Sequence, residues 1–163
     1  MDNFRLSTAP ASVKMLFTAF LLTMGIGYLV ALANLYDKTE ITYQGIVKHY
    51  QGAEEELVYT KELSELLELS HVHLLGMPMM FLLLGLIFAL SSLSENLKGI
   101  IVVIPFAALL LEVSSVWLTR YVAAPFAGLM IFAGLLSGFS FLVLFLVPLW
   151  EMWFKKSADT FSK

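Results

Sequence analysis

Two of the three histidines in this 163-residue chain stand two positions apart, in Leu69-Ser70-His71-Val72-His73-Leu74-Leu75-Gly76-Met77-Pro78-Met79-Met80. Imidazole is the commonest metal ligand, and it changes charge near neutral pH. On a helix His73, Met77 and Met80 share one face by their i, i+4, i+7 spacing, while His71 points elsewhere. The third histidine, His49, belongs to a polar connecting segment. Three histidines suffice for a single bis-histidine haem b, with His73 or His71 on one side and His49, or a methionine, on the other. The chain has no cysteine, which excludes disulfides, covalently attached c-type haem, iron–sulfur clusters and thiolate zinc sites. Thioether and imidazole together suit Cu(I). His71, His73, Met77, Met79 and Met80 therefore also read as a copper site, as in a transport or delivery protein. Methionine is equally an ordinary core filler.

Further along, Glu112, Ser115 and Thr119 share one helix face at i, i+3, i+7. An ionisable group in the bilayer costs at least about 2.5 kcal/mol on insertion scales and is a functional hypothesis by default. Glu112 reads either as a proton relay or quinone-facing acid, or as a group that simply bonds Ser115 or a neighbouring helix. Arg120 closes the same end and is suited to pair with haem propionates. No nucleophile–base pair, phosphate-binding loop or paired catalytic carboxylates appear. Gly25-Ile26-Gly27 lies inside an apolar run and is no nucleotide fingerprint. This pattern fits a redox subunit or accessory protein better than a stand-alone enzyme.

These residues must be positioned by membrane helices. The chain is 59% hydrophobic and 14% charged, where soluble domains carry about 25% charged residues. Four apolar runs reach the roughly 20 residues needed to span a bilayer: about 14–35, 69–93, 100–119 and 123–153. The first is long and lacks a small-residue cleavage site, so it reads as a retained helix, not a signal peptide. Pro78 removes one backbone donor and predicts a kink past the histidines. The short link Ser94–Gly99 makes helices 2 and 3 antiparallel neighbours. Gly134-Leu-Leu-Ser-Gly138 has the GxxxG spacing of a close helix contact. Residues 37–68 form the one sizeable extramembrane segment. In its second half Leu63, Leu66 and Leu67 fall at helical spacing among Glu54, Glu55, Glu56, Glu62, Glu65 and Glu68, an amphipathic helix lying on the surface or leading into helix 2, with a solvated acidic face. The expected fold is an all-α membrane protein. It is one integral membrane domain over residues 1–163, a four-transmembrane-helix antiparallel bundle with one extended, partly helical outer loop.

Orientation follows from lysine and arginine. Arg5, Lys14, Lys98, Lys155, Lys156 and Lys163 lie on one side, and Lys38, Lys48, Lys61 and Arg120 on the other. The positive-inside rule then places both termini in the cytoplasm, as expected in a bacterial inner membrane, with all three histidines toward the outer side. With a net charge of −3 and no basic patch, nucleic acid is not an expected partner.

The HxHLLG helix start, in a chain of four spans, resembles the haem-ligand helices of small four-helix membrane b-type cytochromes. It is also similar to the histidine-led helices of small proteins related to haem–copper oxidases. The resemblance implies electron transfer through one b-type haem near the outer surface, between a quinone pool and an outer redox partner protein or larger membrane complex. The chain departs from that pattern in having no mid-helix histidine on helices 1, 3 or 4, where such cytochromes carry the partner ligand. The competing reading is a non-catalytic accessory or assembly subunit of a larger membrane complex, whose histidines only pack.

Overall fold

The structure, a computed structural model, describes residues 5–54 and 57–155. After a short 3-10 turn at Leu6–Thr8 come five helices: α1 (Ala11–Thr39), α2 (Tyr43–Gln51), α3 (Leu63–Ala89), α4 (Glu95–Tyr121) and α5 (Phe126–Trp153). All but α2 are long and apolar enough to cross a membrane. At 1.5 Å per residue the shortest of them runs about 40 Å, beyond the roughly 30 Å of bilayer hydrocarbon. The chain is an integral membrane protein, an antiparallel four-span bundle with a partly helical segment between α1 and α3.

Three of the four spans run longer than the apolar runs alone indicate, whereas α5 starts at Phe126, after Pro125, and not near 123. The second span, α3, begins at Leu63, not near 69, because Glu62 and Glu65 form a reciprocal capping box. Two orphan backbone donors are thereby satisfied, and the acidic first turn suits the helix dipole. Of the two readings of the acidic amphipathic stretch, the one leading into the second span holds: its Leu63–Ser70 part is the first two turns of α3. Helix 2 ends at Ala89, and α4 already starts at Glu95, so the link spans only 90–94. Pro78 sits within α3 without ending it. Glu55, Glu56, Lys156 and Lys163 lie outside the described residues.

In a bilayer the helices associate through packing and hydrogen bonds, since lipid is as apolar as leucine. The main core lies toward the termini, where Phe81, Leu84, Phe88, Phe141 and Leu144 are buried together with Leu6 and Leu21. The α3–α4 link is tied to α5 by Glu151, only 2% exposed. Its carboxylate accepts the Ser92 N–H at 3.1 and 2.9 Å and the Ser92 hydroxyl at 2.5 Å. Lys155 donates to the Ser92 hydroxyl and lies 3.5 Å from the same carboxylate.

Helix α1 is the loosest element: only Leu21 and Thr39 along it are buried. Its first half docks through Phe17, Phe20, Leu21 and Met24, and Thr18 accepts the Trp153 indole N–H at 2.9 Å. Farther along, two aromatic contacts with α5 replace continuous packing. Tyr28 stacks on Phe141 at 4.1 Å between centroids, and its hydroxyl lies 2.6 Å from where a Cβ on Gly138 would sit. The ring of Phe145 comes within 3.1 Å of a Cβ built at Gly25. Gly134, by contrast, would meet nothing within 4 Å. The GxxxG pair is only half a close helix contact: Gly138 seats Tyr28 of α1, and Gly134 borders open space.

Candidate functional site

The chain reverses sharply after α1. Glu40 and Ile41 both adopt left-handed backbone conformations, φ 52° and 53°, costly for a β-branched residue. Thr42 then caps α2 by accepting the Gly45 N–H at 3.0 Å. A Cβ at Gly45 would fall 1.9 Å from the Thr39 carbonyl oxygen, so only glycine fits this corner. Gly52, at φ 83°, ends the helix. The result folds α2 back onto the bundle, against α1, α4 and α5. Its Ile46 and Tyr50 are buried among Leu66, Val116, Ala127 and Met130, and Gln51 donates to the Thr119 carbonyl at 2.6 Å.

Beneath α2 lies a partly open cavity of about 400 Å³. It is lined by His49 and Tyr50 of α2, by His73, Met77 and Met80 of α3, by Glu112 of α4, and by Tyr28 and Lys38 of α1. His73 is held by its Nδ1, 2.9 Å from the Leu69 carbonyl oxygen. A carbonyl can only accept, so Nδ1 donates to it and Nε2 is left as the nitrogen that could serve a ligand. Beside it the Trp117 indole N–H donates to Ser70 at 2.8 Å, clamping α3 to α4. The early start of α3 puts His73 about 15 Å along the helix, deeper than a start at Leu69 implies.

Glu112 lies about 13 Å along α4 from its Tyr121 end. Ser115 donates to the Glu112 backbone carbonyl at 2.7 Å, and Thr119 donates to the Ser115 carbonyl. The hydroxyls on that face thus serve the backbone and not the carboxyl. Among the described residues the Glu112 side chain has no hydrogen-bond partner.

Two expected members stand apart. His71 is exposed and does not line the cavity, as its place off the His73–Met77–Met80 face requires. Arg120 donates through Nε to the Lys61 carbonyl at 2.8 Å and lies 4.9 Å over the Tyr121 ring, so it braces the loop instead of facing the cavity. Met79, 58% exposed, also faces away. The copper donors that share the cavity reduce to His73, Met77 and Met80. Among the described residues no group of three or more His, Cys, Asp or Glu is placed to hold a metal ion.

Outside the spans, burial holds the His49 imidazole below its ordinary range, reinforced by Lys61 and Lys38 and opposed by Glu65. Its ring meets Tyr50 edge-on at 4.9 Å. Burial first, and the Glu112 carboxylate second, push the Tyr50 phenol up to about 12, so it remains a donor. A histidine whose folded pKa is depressed binds its proton more readily in the unfolded chain. Its contribution to stability is complete above the unfolded value of about 6.5 and is lost as pH falls toward the folded one. The thermal midpoint of the haem-free protein is thus expected to drop below pH 6.5, and His49→Gln to flatten that slope. A wild-type slope unchanged in His49→Gln would contradict the assignment.

Sequence reasoning missed α2 and with it Tyr50, and it passed over Tyr28 and Lys38. The signal for α2 was present: Thr42 as cap, Ile46 and Tyr50 one turn apart, and Gly52 as terminator.

A family model described as a transmembrane helical domain matches residues 40–159, which takes in α2 through α5. No curated protein and no solved structure matches the chain.

Proposed function

Since this chain belongs to that family of transmembrane helical domains, we propose that it is a small membrane electron-transfer subunit holding one b-type haem between His49 and His73. One observation carries the reading: imidazoles from two separate elements, α2 and α3, line the same partly open cavity. His73 keeps its Nε2 lone pair free for iron, and His49, with its pKa depressed, stays neutral as a ligand must. A haem would need only two donor side chains from the protein, and His49 and His73 would be those two. When bound, the haem supplies one-electron transfer. Lys38, which lines the cavity, takes the propionate-pairing role expected of Arg120. Met77 and Met80 supply an apolar wall. Glu112 is the acid that exchanges protons with the cavity.

The lysine and arginine distribution supports both termini being cytoplasmic, in a bacterial inner membrane. The cavity then lies toward the outer surface, where a redox partner protein or larger complex would receive electrons drawn from a quinone pool. The HxHLLG resemblance to membrane b-type cytochromes agrees with this reading.

Absorption spectroscopy of the detergent-purified protein tests it, after expression with ample haem supply. A Soret band that shifts on dithionite reduction is expected. A colourless protein carrying copper by elemental analysis would transfer the reading to a copper site on His73, Met77 and Met80. A colourless, metal-free protein co-purifying with larger subunits would leave the accessory role.

A further inference from the structure

Two cavities flank the splayed half of α1. The second is a groove of about 760 Å³ along the seam between α1 and α5. Its walls are Leu22, Ile26 and Leu29 of α1 and Leu135, Phe139 and Leu142 of α5, each about half exposed or more. In a bilayer those side chains face lipid, so the groove opens sideways into the membrane. Glu112 lines this groove as well as the cavity beneath α2. The carboxyl has no hydrogen-bond partner among the described residues, and His73 acts on it only electrostatically, so a hydrogen bond from a ligand in the groove would be favourable.

Size and charge select the occupant. A transmembrane helix about 10 Å across displaces roughly 420 Å³ per 5.4 Å turn, so the groove would take fewer than two turns of one. A single hydrocarbon chain with a small head fits, within the usual 300–1,000 Å³ or so of a small-molecule site. Among the described residues no lysine, arginine or histidine lines the groove itself; Lys38, His49 and His73 lie on the other cavity, so from the groove side an anionic head would meet the Glu112 carboxyl without a cation of its own.

We infer that the α1–α5 groove binds a membrane-soluble amphiphile, one hydrocarbon chain lying along the groove and a neutral head whose hydroxyl or carbonyl oxygen hydrogen-bonds to Glu112. An isoprenoid quinol and a long-chain alcohol share this chemistry. The inference does not rest on the haem reading.

The test is photolabelling of the full chain in phosphatidylcholine nanodiscs with a long-chain alcohol carrying a diazirine in its tail. Labels are expected to concentrate about tenfold on the groove residues of α1 and α5, relative to lipid-facing Val103 and Leu110 of α4. Ile26→Trp and Leu142→Trp narrow the groove at exposed positions outside the cavity beneath α2. Each should cut groove labelling about tenfold at an unchanged thermal midpoint. Glu112→Leu should lower labelling similarly, and Glu112→Gln, which keeps the hydrogen bond, should retain it. Competition by decylubiquinol alone assigns a quinol-type head, and competition by oleyl alcohol assigns the simple alcohol. Even labelling of all lipid-facing helices, or labelling indifferent to the tryptophans, overturns the inference. A protein that labels in the groove yet binds no haem loses the electron-transfer reading and keeps this one.

Discussion

His73→Ala is expected to abolish the Soret band, and His71→Ala to leave it unchanged. The two histidines stand two positions apart in one helix, which sends them to different faces: His73 lines the cavity and His71 is exposed. Altering only the outer partner of a metal-bound histidine typically costs 10–100-fold in affinity, about 1.4–2.7 kcal/mol, so removing the ligand itself should cost more. Haem retained after purification should fall more than about tenfold in His73→Ala, and likewise in His49→Ala. Added imidazole should restore part of the band by occupying the vacated coordination position. If His71→Ala lost the haem and His73→Ala kept it, the cavity would be the wrong site, whatever the wild-type spectrum showed.

Glu151→Ala should give the largest loss of stability, about 2–4 kcal/mol, and lower the thermal midpoint by about 5–15 °C. The carboxylate accepts both the backbone N–H and the hydroxyl of Ser92, and it also meets Lys155. Deleting it leaves the Ser92 N–H without its acceptor, and an orphaned buried donor costs about 1–3 kcal/mol by itself. The Lys155 contact adds little, because that side chain is 36% exposed and screened by water. Glu151→Gln keeps a carbonyl acceptor and should lose about half as much. A midpoint within 2 °C or so of wild type in Glu151→Ala would show that the α3–α4 link does not depend on this contact.

The spans were legible because their signal is additive: some twenty apolar residues in a row need no tertiary information to be read. What escaped was polar and local. The capping box at Glu62 and Glu65 extends α3 by more than a turn beyond its apolar run, and the glutamates concerned look like an ordinary solvated face. Helix α2 holds only Tyr43–Gln51, shorter than the windows in which periodicity is measured, and its end signals are single residues. The grouping of His73 with Met77 and Met80 follows from helical spacing, so that part of the candidate site was readable. The arrival of His49 beside it depends on two successive left-handed residues, Glu40 and Ile41, neither a type that announces such a turn. Arg120 misleads for a related reason. A cation at a helix end suits a ligand, but here the Lys61 carbonyl reaches it first. Glu151 gave no warning, since an acidic residue beside a terminal tryptophan reads as a boundary group.

The splay of α1 separates two kinds of opening. Its upper half is fastened to α5 by the seat of Phe145 on Gly25 and by the Tyr28–Phe141 stack, the latter worth about 0.5–1.5 kcal/mol beyond simple burial. Global unfolding of a domain costs about 5–15 kcal/mol. Parting α1 from α5 is thus a far cheaper event than disturbing the core of α3, α4 and α5. A guest dissolved among the lipid tails can be admitted like a page slipped under a loose binding, while the spine stays intact.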